Sequence, residues 1–485
     1  MVPHWARRPG LKLTRLDFSD RACLALLVAL AGHGLAGKGF AYLGVAPLLV
    51  TEVVLAGLIV AMLQTGCILA SMANVSSIIL LALMALVLLR TLPYIPEYGF
   101  DALRDSVIVL YGLFAFAVTT LLLARPERLL SAVRFLRWFT AAAVFAGPLM
   151  YLTKVANIPM PSLPGTNVPL IPLRAGELGV HLSGCAVMAL VGLRSTRWPW
   201  LCALIFGVLL VASQNRGGML AIAIPFLFAL PFTGAWKRVL AMAVAGAILL
   251  SAGYAADLEL SLLPREERPA GDRPLGIRQV VDNVLSVVIP TENKQLDDTK
   301  TFRIMWWTRI VEYTLHGPYF WTGKGFGINL AVDDGFTGTP DDPSAPPLRS
   351  PHNSHLTVLA RAGVPGVVLW GLLLLSWFGS VMLCAVRAWL RGHDQWGDLL
   401  LFLACYWLAN IINASFDVAL EAPMLGVWFW CLTGMGIAAQ AIYRASLTEH
   451  DMLRTGDAVS HARLRRMRTR PDYLGASGLD EGRAH

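Results

Sequence analysis

Val364–Val386 reads VPGVVLWGLLLLSWFGSVMLCAV, a run in which no side chain carries a charge. At about 1.5 Å per residue, a helix of that length crosses the roughly 30 Å hydrocarbon core of a bilayer. Lipid offers no hydrogen bonds, so every backbone N–H and C=O must be paired inside the protein, which only a helix or a closed barrel achieves. Polarity does not alternate along the run, which argues against a barrel strand. The same pattern recurs outward in both directions, at 22–37, 43–63, 73–90, 106–124, 137–153, 177–193, 198–214, 217–234, 239–256, 397–416 and 423–443. The expected fold is an all-α integral membrane protein of about twelve transmembrane helices, with one large extracytoplasmic loop between helices 9 and 10.

Composition agrees. The 485 residues are 56% hydrophobic and 15% charged, against roughly 25% charged in a soluble protein. The net charge of +8 does not indicate nucleic acid, because the basic residues flank the spans. With the N-terminus inside, Arg7–Arg21, Arg125–Arg137, Arg194–Arg197, Lys237–Arg238, Arg387–Arg391 and the tail from Arg444 all face the cytoplasm. They hold 23 of the 40 Lys and Arg, against six in the short outside loops. That asymmetry puts both termini inside. The expected divisions are a basic N-tail (1–21), helices 1–9 (22–256), a catalytic loop (257–363), helices 10–12 (364–443) and a basic C-tail (444–485). The tail reads as a disordered segment near anionic headgroups. The seven cysteines lie almost entirely in apolar runs and read as small buried residues, not a disulfide or metal framework. No internal repeat of the transporter type is visible.

Candidate chemistry gathers at the outer face. Arg216 lies in Ser213-Gln214-Asn215-Arg216-Gly217-Gly218, between two spans. The turn needs its glycines but not an outward arginine; a snorkelling arginine explains it equally well. Arg174 precedes a span, and Glu177 is a ready ion-pair partner. Arg303 and Arg309 lie on Thr301–Leu315, whose expected apolar face is Ile304, Trp307, Val311 and Leu315; an interfacial helix anchored by Trp306 and Trp307 is the plainer account. Gly323-Lys324-Gly325-Phe326-Gly327 could form an anion nest from successive N–H groups, although it does not match a phosphate-binding Walker loop. In Ser350-Pro351-His352-Asn353-Ser354-His355-Leu356, Ser350 suits a helix N-cap and Pro351 the first helical position. That helix would run through Leu359 to near Gly363. His352 in its first turn would be held neutral by the helix dipole, as a general base requires. Asn353 would orient the ring or cap the backbone. His352 and His355 alone are too few ligands for a metal.

Taken in order, Gln214-Asn215-Arg216-Gly217-Gly218 after a span, then Arg303-x-x-Trp306, Gly323-x-Gly325-x-Gly327, His352-Asn353 and Ala362-Gly363-Val364-Pro365-Gly366 at the next span resemble the O-antigen ligase and O-antigen polymerase superfamily of bacterial envelope proteins. The motifs cover roughly Arg174 to Gly366, and the topology covers the whole chain. Asn215 and the paired glycines depart from the family's more usual serine before the arginine. The resemblance implies transfer or polymerisation of a polysaccharide from an undecaprenyl-pyrophosphate carrier to a periplasmic acceptor, either a glycan or a lipid A-core type molecule, in lipopolysaccharide or exopolysaccharide biosynthesis. It implies a bacterial inner-membrane location with the active site facing the periplasm. No cofactor, metal or nucleotide is expected, the anomeric centre is inverted, and a chain-length regulator is a candidate partner. His352 is then the catalytic base. Arg216 and Arg303 hold the pyrophosphate, Arg174 joins them on the donor, and Asn353, Gly325 and Gly327 support the site. A lipid-linked glycan flippase or other secondary transporter is the alternative, but it would place its charges at mid-membrane depth in interrupted helices. A scaffold with decayed motifs is opposed by the intact Arg216, Arg303 and His352. Arg265, Arg268, Arg273 and Arg278 receive no role.

Overall fold

A computed structural model describes residues 16–45, 47–155, 158, 160–164, 168–170, 174–256, 259–260, 275–285, 294–337 and 348–468. The N-tail before residue 16, Arg265, Arg268, Arg273 and the tail beyond Arg468 lie outside them. In chain order the helices are α1 (Phe18–Ala41), α2 (Val50–Gln64), α3 (Ile68–Met72), α4 (Val75–Thr91), α5 (Ile95–Tyr98), α6 (Phe100–Leu110), α7 (Gly112–Ala124), α8 (Glu127–Val155), α9 (Ala175–Leu190), α10 (Trp198–Gln214), α11 (Arg216–Ala229), α12 (Trp236–Ala255), α13 (Ile277–Leu285), α14 (Lys294–Leu315), α15 (Leu330–Asp334), α16 (Ser354–Leu390), α17 (Asp394–Ala414) and α18 (Pro423–Arg468). Two minimal antiparallel pairs, Gly44–Val45 with Leu48–Leu49 and Glu259–Leu260 with Leu275–Gly276, are the strand ladders among the described residues. The chain divides into two units, Met1–Gln440 and Ala441–His485. In the second unit the described residues are helical up to Arg468, where composition reads as a disordered tail; residues 444–468 contain no proline to stop a helix.

Among the described residues, six helices are long and apolar enough to cross a membrane, and a seventh span forms if α6 and α7, bent by 44° at their junction, are taken together. Five further apolar helices run only 10–17 residues. The protein is a helical multi-pass membrane protein, and every expected span overlaps one of these helices. The boundaries differ where chain chemistry intervenes. The span expected at 106–124 begins at Phe100 and breaks at Tyr111. The span expected at 364–386 is continuous with the helix that precedes it, the two meeting at Gly363 with φ 67°. A Cβ at Gly363 would also press on the Phe320 carbonyl, 2.5 Å away. Glycine is therefore required there both for its backbone region and for the close approach.

The site end of the bundle is set by α9, α11 and α17, which pack on small residues as membrane helices do. A Cβ on Gly179 of α9 would lie 2.8 Å from the Gly218 carbonyl of α11, and one on Gly184 would meet the Tyr406 ring of α17 at 2.9 Å. With backbones this close, the N-termini of α9 and α11 and the C-terminus of α17 share one end. Asn215 caps α11 by accepting from the Gly218 N–H at 2.7 Å.

Above that end sits a small second core of Trp306, Ile310, Tyr313, Leu330, Ala331, Leu359 and Ala360. Here the expected face of α14 is wrong. Trp306 and Ile310 are fully buried, while Ile304 and Leu315 remain 48% and 42% exposed. The helix carries apolar residues on two sides, and the indole of Trp306 decides between them by donating to Asp334 at 2.7 Å. Trp307 donates to the Pro351 carbonyl at 2.8 Å. Both tryptophans therefore bind protein, and neither serves as a lipid anchor.

The glycine run is also not an anion nest. The N–H groups of Lys324 and Gly325 donate to the carbonyls of Ala360 and Arg361 at 2.8 and 3.0 Å, and the Gly327 N–H donates to Asp105 at 3.1 Å. These are the terminal carbonyls of the first segment of α16, so the run caps a helix. Lys324 points inward, bonded to Asp333 at 2.6 Å and to Asp334, 4.2 Å above the Tyr313 ring. A Cβ on Gly325 would overlap the Tyr94 ring, whereas Gly335, also at positive φ (82°), faces open space. Left-handed strain alone costs a non-glycine residue about 1–2 kcal/mol. Gly325→Ala should therefore lower the unfolding temperature in detergent distinctly further than Gly335→Ala; equal shifts would mean that the Tyr94 contact is unimportant.

Candidate active site

Three sequence candidates, Arg303, His352 and Arg174, meet one loop, Ser415–Ala422, between α17 and α18, and a fourth, Arg216, begins the helix that packs against it. Arg303 donates to the Phe416 carbonyl at 3.1 Å. Gly217, next to Arg216 at the start of α11, lies against Phe416 so closely that a Cβ would meet its side chain at 2.8 Å. His352 Nδ1 and Arg174 Nη1 each stand 3.7 Å from Asp417 Oδ1. Arg216, Arg303 and His352 are half-buried, and Arg174 is exposed. The α9–α11–α17 packing places Arg174 and Arg216, the turn before α16 supplies His352, and α14 delivers Arg303.

His352 is not where sequence placed it. The helix begins at Ser354 with Asn353 as N-cap, its side-chain oxygen accepting from His355 and Leu356 N–H at 3.0 and 3.1 Å. His352 lies before the cap with φ 53°, the sole non-glycine positive φ among the described residues. Ser350 and Pro351 are therefore outside the helix, and the dipole argument for a neutral imidazole does not apply. The Asn353 side chain thus serves two N–H groups of the first turn at once. Strain of this kind persists only where the surroundings over-determine it. Here Pro351 is held by Trp307, and Thr357 bonds both the Asn353 carbonyl (3.1 Å) and Glu421 (2.7 Å). Glu421 also bonds Ser350, so one carboxyl ties the two flanks of the His352 turn.

His355 is occupied structurally. Its Nδ1 accepts from the Trp370 indole at 2.9 Å, and its Nε2 faces the Ile411 carbonyl and the Ser415 hydroxyl at 3.3 and 3.2 Å. No cluster of three metal-ligating side chains occurs among the described residues. Glu177 accepts from the Arg174 backbone N–H at 3.4 Å, while the Arg174 guanidinium turns to Asp417. Arg309 pairs with Glu312 at 3.6 Å on the exposed side of α14, away from the loop.

Sequence left Asp417 unassigned, although it and Glu421 are the two acids between the last two spans. Burial raises the Asp417 carboxyl, but the contact with His352 and the positive charge of Arg174 outweigh it, leaving Asp417 below its usual range. It therefore stays ionised at neutral pH beside the imidazole. Glu421 is pushed up by burial, against the opposing effects of Thr357 and Arg361.

A second cluster supports the first. Asp105 of α6 accepts from Arg349 at 2.9 Å through both Nε and Nη2, and from Arg361 at 3.0 Å. The Arg361 side chain is 1% exposed. An acid at the head of an otherwise apolar span was the available signal for it. Asp105 and Arg349 border a cavity of about 260 Å³ that also includes His352 and Arg174 in its wall.

Residues 201–371 match a family model described as O-antigen ligase. The match spans about a third of the chain. The matched segment runs from α10 through the Gly363 break and contains Arg216, Arg303 and His352; Arg174, Asp105 and Asp417 fall outside it. The match supports glycan transfer of the O-antigen ligase and polymerase type in general. No curated protein matched the chain.

Breaking a buried ion pair from one side typically costs about 3–5 kcal/mol. Asp105→Ala strands Arg361 and should lose stability of that order, read as a lower unfolding temperature in detergent. The double variant Asp105→Ala/Arg361→Leu should recover part of it, since no unpaired charge then remains at position 361.

Proposed function

We propose that this ligase-type domain transfers a glycan from a lipid-pyrophosphate carrier to a hydroxyl acceptor, with His352 as base and Arg216 and Arg303 on the pyrophosphate. The carrying observation is that Arg303, His352 and the α11 terminus that begins with Arg216 all meet the single loop around Phe416 and Asp417. The carrier is undecaprenyl pyrophosphate and the site faces the periplasm of a bacterial inner membrane; these finer assignments rest on the family resemblance and on the charge asymmetry of the loops.

The chemistry follows from the donor set. The acceptor O–H proton passes to the neutral imidazole of His352 as the acceptor oxygen bonds the anomeric carbon. The bond from that carbon to the pyrophosphate oxygen breaks, and its electron pair leaves with the lipid pyrophosphate. Attack opposite the leaving group inverts the centre. Two guanidiniums suit the developing charge, because their planar forks pair with phosphate oxygens bidentately. Ionised Asp417 faces His352 Nδ1 at 3.7 Å. This leaves Nε2 to accept, and the carboxylate stabilises the imidazolium that forms. Arg174 shares Asp417 with His352 and lies beside the base.

Deleting the gene and complementing with Arg216→Ala, Arg303→Ala or His352→Ala should leave the surface glycan absent while each variant is made and inserted. Loss of one arginine should cost about 2.7–4 kcal/mol of transition-state stabilisation. Long chains held on the carrier would identify a ligase, and single repeats a polymerase. Full complementation by all three would sink the enzyme reading in favour of transport or scaffolding. Asp417→Asn should lower kcat with little change in donor KM, since it touches the base and not the phosphates; an unchanged kcat would remove Asp417 from the mechanism.

A further inference from the structure

The 415–422 loop separates two environments. On the Phe416 flank lie Arg303 and the α11 terminus that begins with Arg216. On the other flank, Val418, Glu421 and Ala422 wall the cavity of about 260 Å³, opposite Arg104, Arg349 and Ser350. His352 and Arg174 line this cavity; Arg216 and Arg303 do not. A transfer reaction has two substrates, and the base must meet the one that carries the hydroxyl. A cavity with His352 in its wall, apart from the arginine pair, meets that requirement. Its volume is slightly below the roughly 300–1,000 Å³ of drug-sized sites, enough for about one sugar residue.

The charges of the wall indicate what that residue carries. Arg104, Arg349 and Arg361 share two carboxylates. Asp105 takes Arg349 and Arg361 at 2.9 and 3.0 Å, and lies 3.6 Å from Arg104; Asp101 lies 3.0 Å from Arg104 and 3.4 Å from Arg349. Arg361 is sealed in, while Arg104 keeps 42% of its side chain exposed. The wall itself carries Arg104, Arg174 and Arg349 against Asp105 and Glu421, one more cation than acids, and Arg104 is an exposed member able to offer its charge to a ligand. Glu421 in the same wall is already engaged, accepting from Thr357 at 2.7 Å. An arginine fork with a spare charge binds phosphate or carboxylate in preference to a neutral hydroxyl.

We propose that this cavity is the acceptor subsite and that it selects an acceptor sugar bearing an anionic group, phosphate or carboxylate, which Arg104 contacts. The proposal rests on the reading of His352 as the base. The anion could instead be the donor's pyrophosphate reaching across the loop, so the test separates the two sources.

The full-length protein in detergent is assayed with lipid-linked donor and with the acceptor left unmodified in the His352→Ala strain, and inorganic phosphate is titrated as the probe. In the wild type, phosphate should compete with the acceptor and not with the donor. Arg104→Gln should raise the acceptor KM about tenfold, the cost of one charge-assisted contact. It should leave the donor KM unchanged and abolish phosphate inhibition, while Arg104→Lys retains part of both effects. Phosphate competing with the donor, or a raised donor KM in Arg104→Gln, would give the cavity to the donor and overturn the proposal. So would unmoved KM values in a folded Arg104→Gln protein. The phosphate competition in the wild type stands even if the variant fails to fold. Absence of any transfer by the wild type would sink the enzyme reading itself and this subsite with it.

Discussion

Asp105 is the carboxylate to which the loop and the bundle are both tied. It stands midway along α6, buried, and binds Arg349, Arg361 and the Gly327 N–H. Arg349 is three residues before His352, Arg361 closes the first segment of α16, and Gly327 ends the glycine run that caps that segment. One acid thereby fixes both sides of the histidine turn relative to a membrane helix. Its energy comes from desolvated, charge-assisted hydrogen bonds, which are strong when every partner is present and costly when one is missing. A surface pair could not do this work, because solvent would screen it and the turn could relax.

The left-handed backbone at His352 follows from that anchoring. Trp307 holds Pro351, Glu421 holds Ser350 and Thr357, and Asn353 caps the helix that starts immediately afterwards. The chain has no relaxed path between those fixed points, so the strain falls on the residue proposed to act as base. The ring is then set at the lip of the cavity beside Asp417, a position that a residue within the helix could not take.

Much of this was legible in the chain, and the limits were physical. The apolar runs announced the helices because a lipid solvent enforces length and polarity residue by residue. Arg216, Arg303 and His352 stood out because arginine or histidine beside a span demands a reason. Four readings failed: the nest at Gly323–Gly327, the lipid-anchoring tryptophans, the buried face of α14 and the Ser350 cap. In each, the same residues satisfied two local patterns. Glycines serve a nest or a helix C-cap, and tryptophan serves a lipid interface or a core. Partners distant in sequence chose between them: Arg361 and Ala360 for the glycines, Asp334 and Pro351 for the tryptophans.

Sequence by itself determined the class of solvent, the helical architecture, the ligase resemblance and the residue types available for catalysis, since each depends on local composition or short spacing. Only the tertiary structure decided which acids accompany those residues. Asp417 lies 65 positions after His352, and Asp105 lies 244 before Arg349 and 256 before Arg361. No periodicity relates them. Their pairing results from the close packing of α9, α11 and α17 and from the burial of charge, where an unpaired group is too costly to leave and the fold must bring a partner to it.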